Sequence, residues 1–149
     1  HPKETLIVVT ADHETGGIAL GTGKYALNLK ALENQKASAE VLSKKISDLR
    51  KAKNNHVAWE DIKNLLSEEM GFWSVLPITW EQEKKLRDEY EKSFVRNKVE
   101  FAESMYAKTE PMAAKAKEVM DQIAMVGWTS GGHSAGYVPV PICSSVKWI

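Results

Sequence analysis

Thr5 to Thr10 reads T-L-I-V-V-T, a β-branched run with no polar alternation, which predicts a strand covered on both faces in a largely parallel sheet. The loop Ala11 to Gly17 and the short apolar piece Ile18 to Leu20 follow, and Gly21-Thr22-Gly23 breaks the chain as a turn. No third glycine and no helix directly behind it support a nucleotide loop there. From about Ala31 to Lys53, Leu32, Ala39, Leu42, Ile46 and Leu49 recur at helical spacing and predict one packing stripe. Asn54-Asn55 then connects to a second helix, about Ala58 to Met70, with Ile62, Leu65, Leu66 and Met70 on one side and Gly71 as a left-handed stop. A third, long helix is expected to start at Thr79, capped by its hydroxyl with Gln82 reaching back, and to run to about Tyr106. Leu86, Tyr90, Phe94, Phe101 and Met105 would line its inner face, with Glu81–Lys85 and Asp88–Lys92 pairing along the outside. The last helix is expected over about Glu110 to Met125, with Thr109 as cap, Pro111 in its first turn and Gly127 as stop. Its buried side would be Met112, Ala116, Val119, Met120 and Ile123. In the tail, Tyr137 to Ile142 reads Y-V-P-V-P-I, whose prolines suit an edge strand.

These elements add up to four helices, one strand that wants neighbours on both edges, and one or two edge-like scraps. The sheet that would satisfy the central strand is missing, so the chain is expected to hold part of a larger α/β fold, mostly helical with few strands. The expected division is residues 1–24 as core strand and loop, 25–125 as helical insertion and core helix, and 126–149 as a second loop with an edge strand. All three belong to one partial domain.

Composition narrows the role without assigning it. The 149 residues carry 20 Lys+Arg against 20 Asp+Glu, so no basic field exists to hold a nucleic-acid backbone or an anionic membrane. Leu6-Ile7-Val8-Val9 is the longest aliphatic run and is far short of the roughly 20 apolar residues that span a bilayer. The single cysteine, Cys143, excludes an internal disulfide and leaves the redox compartment open. The chain starts at His1 rather than Met, so any targeting segment is expected upstream.

Two segments carry candidate chemistry. Asp12 and His13 follow the first strand at its C-terminal end, where open α/β sheets place ligands. Neighbouring side chains converge there only if the backbone has left the ladder, and Gly16-Gly17 lets the loop double back. A carboxylate and an imidazole are a donor set that zinc accepts; an Asx-turn beside a hydrogen-bonded histidine uses the same residues. The second segment, G-W-T-S-G-G-H-S-A-G, surrounds His133 with glycines and offers Thr129 and Ser130 to hold the backbone. A mobile glycine loop with an incidental histidine also fits it. His56 falls in a helix connection and reads as a surface residue.

Thr10-Ala11-Asp12-His13-Glu14-Thr15-Gly16-Gly17 and Gly127-Trp128-Thr129-Ser130-Gly131-Gly132-His133 resemble the two C-terminal metal-binding motifs of the alkaline phosphatases, in the same order. Related phosphoglycerate mutases and phosphopentomutases usually have a glycine directly after the histidine, whereas Glu14 and then Thr-Gly-Gly follow here. The resemblance covers roughly residues 5–20 and 126–142 and makes the intervening helices a variable insertion. It implies a fragment of an alkaline-phosphatase-like three-layer sandwich and hydrolysis of small phosphate monoesters through a phosphoserine intermediate. By the same resemblance, Asp12 and His13 would bind one Zn2+ and His133 the other, with Mg2+ ligands and the serine nucleophile upstream. Two metals about 3.5–4 Å apart would clamp the entering and leaving oxygens. The 149 residues by themselves are therefore expected to be inactive. Family members are commonly periplasmic or extracellular, and a homodimer is possible. A superfamily phosphodiesterase or sulfatase, or a helical interaction module with vestigial metal loops, are the other readings.

Overall fold

A computed structural model of the chain describes residues 5–23, 25–103 and 108–144. His1, Met105, Tyr106 and residues 145–149 lie outside them. In chain order the strands and helices are β1 (Leu6–Val8), β2 (Glu14–Thr15), β3 (Ile18–Leu20), α1 (Ala39–Ala52), α2 (Trp59–Met70), α3 (Trp80–Tyr90), β4 (Ala102–Glu103), β5 (Lys108–Thr109), α4 (Pro111–Ala124), β6 (Val126–Trp128), β7 (His133–Ser134) and β8 (Ile142–Ser144). The chain is thus α/β, mostly helical with few and short strands. It divides into two compact units, residues 1–19 with 128–149, and residues 20–127.

The larger unit is built by the helical stripes. Leu42, Ile46, Ile62, Leu66, Met70, Leu86, Met112, Ala116, Val119 and Met120 are all at most 1% exposed, joined by Phe72 at 0%. Burial of such side chains contributes about 1.5–3 kcal/mol each, and it explains why the helical spacing is legible in the sequence. Gly71 ends α2 in the left-handed region at φ 71°, as expected. Thr79 caps α3 through the Gln82 N–H, and Gln82 returns a bond to the Thr79 N–H. Asn54 and Asn55 turn between α1 and α2 with φ of 48° and 64°.

Boundaries and outer pairs depart from expectation. The stretch expected as one helix from Ala31 is split: a 3-10 turn spans Leu29–Asn34, and α1 starts only after Ser38, whose hydroxyl accepts from Val41 N–H at 3.2 Å. The interruption turns Leu32 outward, 36% exposed, and buries Ala31 and Ala37 instead. The third helix stops far short of Tyr106. A π turn over Glu91–Val95 follows α3, and Asn97 ends it at φ 52°, a conformation that asparagine tolerates. Leu86 and Phe94 keep their places in the core, while Phe101 is 46% exposed. Lys85 bonds Glu118 of α4 at 3.1 Å and Lys92 bonds Glu100 at 2.8 Å, so the expected acid-first helix pairs give way to longer-range ones. In α4, Glu110 rather than Thr109 is the cap: its Oε2 accepts from Met112 and Ala113 N–H. Met125, at φ 58°, ends the helix before Gly127.

Glu110 has a second task. It is 1% exposed and its Oε1 accepts from Arg50 Nη2 at 2.7 Å, while the Arg50 guanidinium lies 3.5 Å from the Phe94 ring centroid. A buried carboxylate is tolerated only when paired and hydrogen-bonded. Both conditions are met, and the pair fastens α4 to α1.

In the smaller unit β1 pairs antiparallel with β8, Leu6 opposite Ser144 and Val8 opposite Ile142. The parallel neighbours expected for this strand are absent among the described residues, and Leu6, Ile7, Val8 and Val9 are 49–57% exposed. Successive strand residues point to opposite faces, so side chains on both faces of β1 stay about half exposed. The tail does form an edge strand, but over Ile142–Ser144 rather than Tyr137–Ile142. Pro139 and Pro141 lack the N–H that a ladder needs, so pairing begins just past them.

Candidate metal centre

Both histidine loops lie in the smaller unit, and a two-residue ladder brings them together. β2 pairs antiparallel with β7, Glu14 opposite Ser134 and Thr15 opposite His133. His13 lies in the bend just before β2, beside the rung that carries His133. The two imidazoles stack with centroids 3.4 Å apart and planes at 27°. Residues 120 positions apart in the chain thus share one surface spot.

Asp12 reaches the same spot because the backbone bends at Asp12–His13 before β2 begins. Its Oδ2 lies 3.5 Å from His13 Nε2. The other ring nitrogen, Nδ1, is 3.0 Å from the Glu14 carbonyl oxygen. A carbonyl only accepts, so Nδ1 is the donor in this hydrogen bond and Nε2 is the ring nitrogen that faces the Asp12 carboxylate. The Asp12 side chain is 88% exposed and that of His13 32%, so the approach is open.

The glycines shape this spot by close approach. Gly16 and Gly17 have φ of 86° and 58°. A Cβ on Gly17 would lie 2.8 Å from Thr129 Oγ1, and one on Gly16 would lie 2.9 Å from the Trp128 ring. Thr129 N–H donates to Gly16 O at 2.8 Å, and its hydroxyl donates to Gly17 O at 2.9 Å. Ser130 hydroxyl donates to Gly132 O at 2.9 Å. The Thr-Gly-Gly and Trp-Thr-Ser segments are therefore two halves of one backbone joint.

Glu14 was not singled out as a site residue by the sequence. Its Oε1 accepts from Gly17 N–H at 2.6 Å, and its Oε2 accepts from the Ser134 hydroxyl. The Ser134 bond first, then the N–H groups of Gly17 and Thr15 and the charge of His13, hold its carboxyl below the usual carboxylate range against the opposing effect of burial. The legible signal was the i, i+3 spacing of a carboxylate before a glycine turn. Its cross-strand partner depends on the register, which no local pattern carries.

Asp12, His13 and His133 fit zinc by donor chemistry and fall short by number. Among the described residues no group of three or more His, Cys, Asp and Glu side chains converges as a metal-holding set. A zinc site needs three or four protein ligands, so this chain offers part of a donor set. His56 lies exposed in the larger unit, its Nδ1 2.9 Å from Asn54 O. A groove of about 640 Å³ is lined by His13 and Glu14 together with Val9, Thr10, Val138 and Pro139.

A family model described as alkaline phosphatase matches residues 1–148. Among curated proteins, Alkaline phosphatase 3 of Bacillus subtilis (strain 168) is 28% identical over 149 residues, covering 93% of this chain and 25% of the relative. Among solved structures, the cold-active alkaline phosphatase from the psychrophile Shewanella sp. matches with a TM-score of 0.59 and 20% identity, over 96% of this chain and 29% of that one. The chain thus spans about a quarter of the length of the curated relative it matches.

Proposed function

Because the chain belongs to the alkaline phosphatase family, we propose that it is the C-terminal part of a zinc-dependent phosphatase that hydrolyses small phosphate monoesters, with Asp12 and His13 as ligands of one Zn2+ and His133 of the other. The observation that supports this reading is the stacking of His13 on His133 beside the Asp12 carboxylate. Residues 1–24 and 126–149 carry the ligand loops, and residues 25–125 are a helical insertion with a core helix. The remaining ligands, the Mg2+ site and the serine nucleophile belong to the rest of the enzyme. The enzyme acts in the periplasm or outside the cell, and a homodimer is consistent with family habit.

Zinc supplies Lewis acidity, which makes an oxygen nucleophile available near neutral pH and offsets charge gathering on the phosphoryl oxygens. This chain's own residues prepare the ligands. The Glu14 carbonyl accepts from His13 Nδ1 and so orients the ring with Nε2 toward Asp12. The Gly16–Thr129 joint keeps the two loops in contact.

The test is the full-length enzyme carrying His13→Ala or His133→Ala, with bound zinc and turnover of a chromogenic phosphate monoester both measured. Loss of zinc together with turnover is expected. Retention of both in either variant overturns the ligand assignment, and a preference for sulfate esters or diesters overturns the substrate class. The 149-residue chain alone is expected to show no turnover, and measurable hydrolysis by it contradicts the partial-site reading.

A further inference from the structure

The ladder that sets the two histidines side by side is only two residues long on each strand. Two-stranded ribbons are marginal in water, and a one-residue slip would turn His133 to the face opposite His13. A two-residue slip would keep the face and displace the ring by about 7 Å. Backbone bonds from Thr129 and Ser130 to Gly16 join the loops on one side of this ladder, and side chains on its reverse face favour the same register. On the reverse face of the ladder, Glu14 lies directly opposite Ser134, and its carboxylate accepts from the Ser134 hydroxyl on one oxygen and from Gly17 N–H on the other. Gly136 N–H bonds Ser134 Oγ at 3.4 Å, and a Cβ on Gly136 would come within 3.2 Å of Glu14 Cγ. Three features on one face therefore suit this register: the acceptor, the hydroxyl, and a glycine where the acceptor's side chain passes.

We propose that Glu14 and Ser134 are positioning residues, a side-chain clasp that locks the Asp12–His13 loop to the His133 loop in the one register that presents both imidazoles on the same face. The inference rests on the zinc-phosphatase reading and deepens it. Glu14 reaches the site through its backbone, because its carbonyl also accepts from His13 Nδ1. Ordering the clasp therefore orders the His13 ring as well. Substitutions behind metal ligands cost about 10–100-fold in metal affinity or activity.

The experiment uses the full-length phosphatase with Ser134→Ala, Glu14→Gln, the double substitution, and Ser134→Thr. The isosteric Glu14→Gln keeps the shape and leaves one acceptor oxygen for two donors. Zinc retention is read by competition with a chromogenic chelator, and the Tm of the metal-stripped protein is read alongside. Each of the first two variants is expected to hold zinc about 10–100-fold more weakly, the double variant no more weakly than the worse single one, and Ser134→Thr to recover retention with the metal-free Tm unchanged. Unchanged zinc retention in both single variants overturns the clasp, as do losses that multiply in the double variant or a lowered metal-free Tm with zinc retention intact. If His13→Ala loses zinc while the clasp variants keep it, the clasp fails and the phosphatase reading stands; if His13→Ala keeps zinc, the phosphatase reading itself fails.

Discussion

The two units of the chain are held together by different physics. Residues 20–127 close over side chains with essentially no exposure, from Leu42 in α1 to Met120 in α4. The unit of residues 1–19 and 128–149 leaves Leu6, Ile7, Val8 and Ile142 about half exposed or more. It is joined instead by short ladders and by hydrogen bonds such as Thr129 N–H to Gly16 O. Apolar burial yields about 25 cal/mol per Å², whereas a hydrogen bond exchanged with water nets about 0.5–1.5 kcal/mol. The helical unit therefore carries its stability internally. The loop unit holds its chemistry in a frame whose aliphatic strand gains by being covered. Placing reactive groups on a weakly held frame while packing the rest densely is the general pattern of binding loops on scaffolds.

Native-state hydrogen exchange is the strongest test of that contrast. Amides in α4 are expected to be protected to near the global unfolding free energy, about 5 kcal/mol or more, and those of β1 and β2 hardly at all. Equal protection would erase the distinction. Next, Phe72→Ala empties a site at 0% exposure and is expected to cost about 3–5 kcal/mol in urea unfolding followed by helical circular dichroism. A cost below about 1 kcal/mol would show that the core can collapse around the gap.

Smaller effects sharpen the same picture. Gly71→Ala forces a Cβ into the left-handed region and to 2.9 Å from Asn34 Cβ. A loss of about 1–2 kcal/mol is expected in the same assay. The smallest effect concerns pH. Glu83, bonded by Arg87 and Trp73 Nε1, has its carboxyl held below its ordinary value, the Arg87 bond first among the causes and burial opposing. A lowered folded-state pKa contributes stability that is present above the unfolded value and lost as pH falls through the folded one. The urea midpoint is thus expected to drop below about pH 4.3, and Glu83→Gln to shrink that drop. An identical acid profile for the variant would remove Glu83 from the account.

Sequence pattern made the helical unit largely legible because burial repeats with the helix period. Ile62, Leu66, Met120 and Val119 could be placed from spacing alone, and Gly71 and Thr79 announced their boundaries. Helix ends set by competing local bonds were less legible: Ser38 restarts a helix, Asn97 ends a π turn, and Glu110 displaces Thr109 as cap because Arg50 holds it from another helix. In the loop unit, Asp12, His13 and His133 could be picked out by residue type and by resemblance. Their clasp could not, because Glu14 and Ser134 are 120 residues apart and meet only through a register.

Local chemistry and periodicity, which act within a few residues, determined by themselves which segments form helices, where the chain turns through glycine, and which side chains are candidate ligands. Tertiary structure alone decided that His13 faces His133, that Glu14 closes on Ser134, and that β1 pairs with the far end of the chain. Those depend on which distant backbones lie side by side, a choice made by summed burial and pairing energies that no single stretch of residues encodes.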